Sequence, residues 1–167
     1  LLLCGEIYNR KELLRIIPES DVTEADDAEL LLLSYLSYGE ASFVIPKGCF
    51  SFALIIEEEH CIYLVRDALG CKPVFYSMKD DTFLFGTEPK ALLAHPIIEA
   101  AADLTCLREL LLIGPAHTPG LTLFKDIKEV KAGCFVRFRD GIVTETPYWT
   151  LTAKPHTDSE SDTIEKT

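Results

Sequence analysis

The first residues of the chain place a glycine where its backbone N–H could contact a ligand. Leu1–Leu3 is predicted to be the end of a buried strand, and Gly5 then allows a tight turn and a close approach. Asn9 is predicted to begin a helix, with Glu12 three residues later as in a capping box. A strand–glycine–helix junction exposes backbone N–H groups, which favour a carboxylate or a developing oxyanion. Many folds contain such a junction, so alone it identifies no function.

The acidic start of the next helix is the second candidate for chemistry. Asp26 or Asp27 is predicted to cap a helix that runs to about Tyr38, with Gly39 at its C-cap. A carboxylate held rigidly near a helix start can face the ammonium group of a ligand. The alternative is that Asp27 is merely a helix cap, and the local sequence alone favours that alternative.

Three further charged residues stand together between two predicted strands. Arg66, Asp67 and Lys72 could act in acid–base chemistry or bind phosphate, but a structured turn with internal charge pairing is the favoured interpretation. Glu88 opens a predicted short helix, where a carboxylate is stabilised whatever the function. No spacing pairs a histidine with another ligand or nucleophile, and no role is assigned to the residues His60, His95, His117 and His156.

Cysteine spacing argues against a metal site. The six cysteines lie at positions 4, 49, 61, 71, 106 and 134, with no Cys-x-x-Cys pair. Several fall in apolar runs that are typical of strands, where a free thiol acts as a small hydrophobe. Reduced thiols are therefore predicted rather than disulfides.

Five stretches, taken in order, resemble the glutamine-hydrolysing domain of asparagine synthetases, a class II glutamine amidotransferase with an N-terminal nucleophile. They are Gly-Glu-Ile-Tyr-Asn at 5–9, Asp-Asp-Ala-Glu-Leu-Leu at 26–31, Gly-Cys-Phe-Ser-Phe-Ala at 48–53, Arg-Asp-Ala-Leu-Gly-Cys-Lys-Pro at 66–73, and Phe-Gly-Thr-Glu-Pro-Lys-Ala-Leu-Leu at 85–93. Residues 124–133 and 147–149 are similar to the closing segments of the same domain. The resemblance covers residues 1 to about 151.

The resemblance implies a set of glutamine-binding positions. Asp27 would hold the α-amino group of glutamine, and the substrate-binding set would be Cys4, Gly5, Glu6 and Asp27, with the backbone N–H of Gly5 as an oxyanion donor. Cys4 departs from the family, which has an asparagine amide at that place. A thiol is a weak donor, and loss of one oxyanion donor costs on the order of a hundredfold in rate. The residues flanking Asp27, Asp26 and Ala28, also depart from the family pattern.

The resemblance places the family's catalytic groups before Leu1. The nucleophile there is an N-terminal cysteine that uses its own amine as base, and an arginine binds the α-carboxylate. Because the chain begins with Leu inside a predicted strand, its first residue is expected not to be the biological N-terminus, through trimming or because the protein is a degenerate homologue. No catalytic side chain is expected in these residues. The alternative that Cys4 attacks lacks a neighbouring amine or base.

The expected fold class is α+β. The resemblance implies a sandwich of antiparallel sheets flanked by helices, with its front strands missing. Residues 48–56, 61–65, 73–78 and 82–86 are predicted to form one antiparallel meander, and Asp140-Gly141 the turn of a later hairpin. Residues 1–151 are the expected amidotransferase domain. Residues 152–167 are expected to be a polar linker or tail toward a synthetase domain.

The charge and hydropathy of the chain argue against some classes of binding partner. A net charge of −11 and a pI of about 4.8 argue against nucleic acid and anionic membrane surfaces. The apolar runs are too short to cross a bilayer, and no signal peptide is recognised, so a cytoplasmic location is expected. No metal or cofactor is expected in this domain; ATP and magnesium belong to the expected synthetase domain. The expected partners are L-glutamine, that domain in cis and a possible homodimer.

These observations predict the ammonia-supplying half of an asparagine-synthetase-like enzyme. Glutamine would be hydrolysed to provide ammonia for ATP-dependent amidation of aspartate, although this chain alone is expected to be inactive. One alternative is a non-catalytic glutamine-binding or docking module. The other is a structural remnant that binds no glutamine.

Overall fold

A computed structural model describes residues 1–17, 24–115, 118–153, 155, 157, 159 and 164. Within these ranges the chain forms eight strands and four α-helices. The strands are β1 (Leu2–Ile7), β2 (Gly48–Ile56), β3 (Cys61–Arg66), β4 (Phe75–Lys79), β5 (Thr82–Gly86), β6 (Lys128–Glu129), β7 (Cys134–Arg139) and β8 (Ile142–Pro147). The helices are α1 (Arg10–Ile16), α2 (Asp27–Tyr38), α3 (Pro89–Leu93) and α4 (Leu104–Ile113). None of these helices is long and apolar enough to span a membrane.

The strands form two antiparallel sheets that pack face to face. Sheet A has the strand order β1-β2-β3-β7-β8 and sheet B the order β5-β4-β6. Apolar side chains from both sheets fill the space between them, among them Ala53, Leu64, Val74, Tyr76, Val130 and Val136. α1 and α2 cover the other face of sheet A, and α3 packs against sheet B. The predicted α+β sandwich of antiparallel sheets flanked by helices is therefore confirmed.

The core between sheet A and its helices is largely aromatic. Phe43 is only 2% exposed, and its ring centroid lies 5.8, 5.5 and 5.1 Å from those of Phe52, Tyr63 and Phe135. All three contacts are edge-on, which is the arrangement that aromatic quadrupoles favour. Phe50 is also buried and its ring lies beside that of Phe52.

The prediction that four consecutive strands form one antiparallel meander is wrong. β2 and β3 form a hairpin in sheet A, whereas β4 and β5 form a hairpin in sheet B. The chain changes sheet between Arg66 and Phe75, and the second partner of β3 is the distant β7. Turn residues predict where a chain reverses, but they carry no information on which sheet receives the next strand.

Two local predictions have opposite outcomes. The hairpin at Asp140-Gly141 is confirmed, with both residues at positive φ (50° and 77°) between β7 and β8, as a two-residue hairpin turn requires. The predicted capping box is not formed, because the side chain of Asn9, which precedes α1, makes no hydrogen bond to the helix backbone. Its amide instead donates to the carbonyl of Ile45 and accepts from the N–H of Lys47.

All six cysteines are free thiols, as predicted. The proposed tail at 152–167 lies largely outside the described residues, and the domain boundary near 151 stays a prediction.

Candidate functional site

Gly5 lies inside β1 rather than at its end. The sequence predicts that the strand stops near Leu3, but β1 continues to Ile7 and the chain turns only at Tyr8 and Asn9. The predicted strand end is therefore wrong, and the tight turn at Gly5 with it.

The close approach predicted at Gly5 is made to the neighbouring strand. Gly5 has a φ of +116°, and a Cβ there would lie 2.0 Å from the carbonyl oxygen of Cys49. Gly48 on β2 is constrained in the same way, since its Cβ would lie 2.2 Å from the carbonyl oxygen of Glu6. Two glycines thus let the backbones of β1 and β2 approach where neither strand could carry a side chain.

The carboxylate of Asp27 is bonded to β1 and α1. Its Oδ2 accepts from the backbone N–H of Ile7 at 3.0 Å, and its Oδ1 accepts from Nη1 of Arg10 at 2.9 Å. The neighbouring Asp26 is the N-cap of α2, accepting at 2.8 Å from the N–H of Glu29. Capping and the contact to β1 are therefore divided between the two adjacent aspartates, and Asp27 is not the cap.

Arg10 and Asp27 line one open cleft. The second guanidinium nitrogen of Arg10 donates to the carbonyl of Ala25, so the side chain is held at two points. The side chains of Arg10 and Asp27 remain 34% and 27% exposed. The cleft measures about 660 Å³ and is lined by Leu3, Arg10, Glu24, Ala25, Asp26, Asp27 and Ala28. An ion pair that is held in place but remains partly exposed to solvent can bind a charged ligand.

The structure brings the first strand and the acidic helix start together. The carboxylate of Asp27 accepts a hydrogen bond from Ile7, which is two residues from Gly5, and β1 is one of the two edge strands of sheet A. Cys4, in contrast, lines a separate cavity of about 320 Å³ between the sheets, together with Ser51 and Thr87. The side chain of Cys4 and the cleft at Asp27 thus lie in different cavities.

Glu6 is exposed at the end of β1, opposite Cys49 in the register of the two strands. It does not line the cleft that holds Asp27.

The turn from β1 into α1 is fixed by a small polar network. Asn9 donates to Glu12 at 3.0 Å, and Nζ of Lys47 forms an ion pair with the same carboxylate at 3.0 Å. The hydrogen bonds from Asn9 and Lys47 lower the pKa of Glu12, so this exposed carboxylate stays charged. The network fixes the start of α1 and hence the place from which Arg10 extends.

Asp67 is a structural carboxylate. It is 1% exposed and accepts three backbone hydrogen bonds, from Leu69 and Cys71 at 3.0 Å and from Lys72 at 3.1 Å. Such bonds satisfy the charge of a buried carboxylate and fix the turn that carries the chain to sheet B.

Arg66 supports the same turn. Its guanidinium donates to the carbonyls of Gly70 and Val130 and pairs with Glu129 at 2.9 Å. The interpretation of this stretch as a structured turn agrees with these contacts.

A pair of thiols was missed by sequence reasoning. The hydrogen bond with Cys49, partial desolvation and the charge of Asp67 raise the pKa of Cys71 to about 11. No local sequence signal could have found this pair, because the two cysteines stand on different elements that only the fold brings together. Among the described residues, no group of three or more His, Cys, Asp or Glu side chains could hold a metal ion.

Cys71 is expected to alkylate slowly although it is exposed. Below pH 9 a pKa of about 11 leaves about a hundredfold less thiolate than an ordinary thiol pKa of 9.0 would. The rate with iodoacetamide, followed by peptide mass mapping, should therefore rise about tenfold per pH unit up to about pH 11. Cys49→Ala removes the largest cause of the shift and should accelerate the reaction. A rate that levels off near pH 9 in the unmodified chain would contradict this.

Comparison with known proteins gives consistent matches over nearly the whole chain. A family model described as "Glutamine amidotransferase domain" matches residues 1–149. Asparagine synthetase [glutamine-hydrolyzing] 3 of Bacillus subtilis (strain 168) is 38% identical over 96% of this chain, and asparagine synthetase [glutamine-hydrolyzing] 1 of the same organism is 31% identical over 99%. Each match spans 26% of the relative, so the chain covers about a quarter of their length.

A solved structure shows the same fold. The glutamine phosphoribosylpyrophosphate amidotransferase of B. subtilis, complexed with ADP and GMP, superposes with a TM-score of 0.59 at 15% identity, over 89% of this chain and 29% of that one. At this identity the likeness concerns the fold, which is the sandwich of the N-terminal-nucleophile type.

Proposed function

Because this chain belongs to the glutamine amidotransferase domain family, we propose that it binds free L-glutamine and forms part of a site that hydrolyses it to release ammonia. The observation that carries this proposal is the carboxylate of Asp27, which is held by the N–H of Ile7 and open to a cleft. An ionised carboxylate has about four acceptor positions. Two are used by Ile7 and Arg10, so the ammonium group of an amino acid can occupy another.

The strand β1, beside this carboxylate, would bind the remainder of the glutamine molecule. Gly5, two residues before Ile7, would offer its backbone N–H to the oxyanion that forms during hydrolysis. The family resemblance adds Cys4 and Glu6 to the proposed substrate-binding set, although Cys4 lines the cavity between the sheets and Glu6 does not line the cleft of Asp27. The thiol of Cys4 gives only weak support to an oxyanion, because a thiol is a poor donor.

The ammonia would be used outside these residues. Two relatives are named glutamine-hydrolysing asparagine synthetases, and this chain spans about a quarter of each. We infer an ATP- and magnesium-dependent synthetase domain in cis, which would amidate aspartate in the cytoplasm. The amidotransferase domain itself would need no cofactor.

For these 167 residues alone, binding without turnover is expected. The family resemblance puts the nucleophilic cysteine and its amine before the segment that forms β1, and hydrolysis requires both. A non-catalytic glutamine-binding module remains the second candidate, and it would give the same titration.

Asp27→Asn is the direct test of glutamine binding. Loss of a charged hydrogen bond of about 1.5–3 kcal/mol should weaken glutamine about tenfold to a hundredfold in calorimetric titration. The matched control is Asp103→Asn, because asparagine caps a helix as well as aspartate and this side chain caps α4 without lining the cleft. The control should keep both affinity and stability. Equal affinities in the two variants, or no binding by the unmodified chain, would refute the proposal.

A further inference from the structure

Cys49 and Cys71 form a pair of thiols that the fold holds together. Cys49 lies near the start of β2, and the carbonyl of its neighbour Phe50 accepts from the N–H of Asp67 at 2.9 Å. The carboxylate of Asp67 in turn accepts from the N–H of Cys71 at 3.0 Å. These two contacts fix the turn that carries Cys71 against the strand that carries Cys49, and a hydrogen bond joins the two thiols.

The pair can be reached from solvent. Cys71 is exposed and Cys49 is half-buried. The hydroxyl of Tyr8, a residue that is 68% exposed, also hydrogen-bonds the thiol of Cys49. The two thiols therefore lie at the surface, where a small reagent in solution can reach Cys71 first.

Cys4 is the competing partner for Cys49. It lies on β1 opposite Ser51, so that Cys49 is its diagonal neighbour two residues away along β2. The thiol of Cys4 lines the cavity between the sheets, whereas the hydrogen bond of Cys49 is made to Cys71. That contact favours the pair of Cys49 and Cys71. The remaining cysteines are all buried, namely Cys61, Cys106 and Cys134.

We propose that Cys49 and Cys71 are a site of reversible disulfide formation, with a low-molecular-weight disulfide such as oxidised glutathione as the oxidant. The thiolate of Cys71 attacks one sulfur of the oxidant, whose S–S bond breaks, and one glutathione leaves. The thiolate of Cys49 then attacks the Cys71 sulfur of the mixed disulfide and releases the second glutathione. The two protein thiols lose two electrons and two protons, and the two departing glutathione sulfurs take them up as thiols.

The bridge would join the start of β2 to the turn that carries the chain into sheet B. Because the fold already holds the thiols in contact, the bond forms without rearrangement of either element. The unfolded chain does not hold them together, so the bridge stabilises the folded state relative to the unfolded one. While glutathione is mostly reduced the pair stays as free thiols, and it becomes oxidised when the thiol–disulfide balance around the protein shifts.

The experiment equilibrates the 167-residue chain with mixtures of reduced and oxidised glutathione and identifies the linked cysteines by peptide mass mapping. Equilibration takes time, because the hydrogen bond with Cys49 and desolvation raise the pKa of Cys71 to about 11 and slow the exchange. The unmodified chain should lose two hydrogen atoms and show a link between Cys49 and Cys71, which dithiothreitol reverses. Cys49→Ala should instead keep glutathione on Cys71, because no second thiol displaces it. The matched control Cys4→Ala should form the same bridge as the unmodified chain.

Urea unfolding of the oxidised and the reduced chain gives the second measurement. The oxidised chain should unfold at a higher urea concentration, and the same oxidising treatment should not raise the midpoint of Cys71→Ala. A link between Cys4 and Cys49, only mixed disulfides in the unmodified chain, or a lower midpoint after oxidation would each refute the proposal. Should Cys49→Ala fold poorly, the unmodified chain and Cys4→Ala decide. None of these results depends on glutamine, so this proposal and the proposed function can fail separately.

Discussion

Asp67→Ala is expected to lower the free energy of unfolding by about 3–5 kcal/mol, one of the two largest effects predicted for this chain. The reason is that the carboxylate of Asp67 is 1% exposed and is the acceptor for three backbone N–H groups. Alanine would leave these donors without their acceptor in the turn where the chain passes from sheet A to sheet B. Urea unfolding followed by circular dichroism measures the loss.

A second aspartate provides the control for this experiment. Asp126 forms an ion pair with Lys79 at 2.8 Å, but both side chains are about one-third exposed. Such pairs contribute about 0–1 kcal/mol, so Asp126→Ala should be nearly neutral. Equal losses in the two variants would contradict the assignment of Asp67 as the organising group of the turn.

Gly5→Ala is expected to cost about 4 kcal/mol or more, or to prevent folding. A Cβ at Gly5 would lie 2.0 Å from the carbonyl oxygen of Cys49, and the φ of +116° is strained for any other residue. Overpacking and backbone strain each cost about 1–3 kcal/mol, and here the obstructing atom belongs to a backbone that is fixed in a sheet. Denaturant unfolding and the yield of folded protein both report the effect.

Gly39→Ala distinguishes the effect of the steric contact at Gly5 from the effect of a positive φ alone. Gly39 also has a positive φ, of 59°, but a Cβ there would have nothing within 4 Å. With a φ of 59° and a ψ of −144° this backbone conformation is one that glycine adopts far more readily than other residues, so the loss should be about 1–3 kcal/mol, from backbone strain alone. If Gly5→Ala were tolerated as well as Gly39→Ala, the close approach of β1 and β2 would be disproved.

Sequence patterns predicted individual elements well where the ends are marked by residues with a fixed backbone preference. The limits of β2 and β5 agree with prediction, and α2 ends at Tyr38 beside Gly39 as expected. Gly39, Gly48 and Gly86 stand at or next to ends of these elements. Glycine at such places is a local signal that requires no knowledge of the fold.

Strand pairing could not be predicted in the same way. β3 and β4 follow one another in sequence but lie in different sheets, because Asp67 and Arg66 fix a turn whose direction depends on buried contacts to distant residues. The partner of β3 is β7, and nothing in either strand identifies the other. Gly5 was misassigned for a related reason, since its special conformation responds to the backbone of β2.

The candidate site was predicted in part. The sequence offered Asp26 or Asp27 as the helix cap, and only the contacts divide the two roles. Arg10 carried no visible signal, because its importance comes from a 2.9 Å contact with a residue on another helix. The proposed roles of Gly5 and Asp27 in glutamine binding remain predictions for the titrations described above.

The position of β7 has a consequence for synthesis on the ribosome. β7 pairs with β3 and contributes Phe135 to the aromatic core beside Phe43, so β3 has no second partner strand before residue 139 has emerged. Until then the nascent chain presents the free edge of β3 and an apolar face to the cell. Such intermediates fold slowly and tend to aggregate, so we expect chaperones to hold this domain during translation.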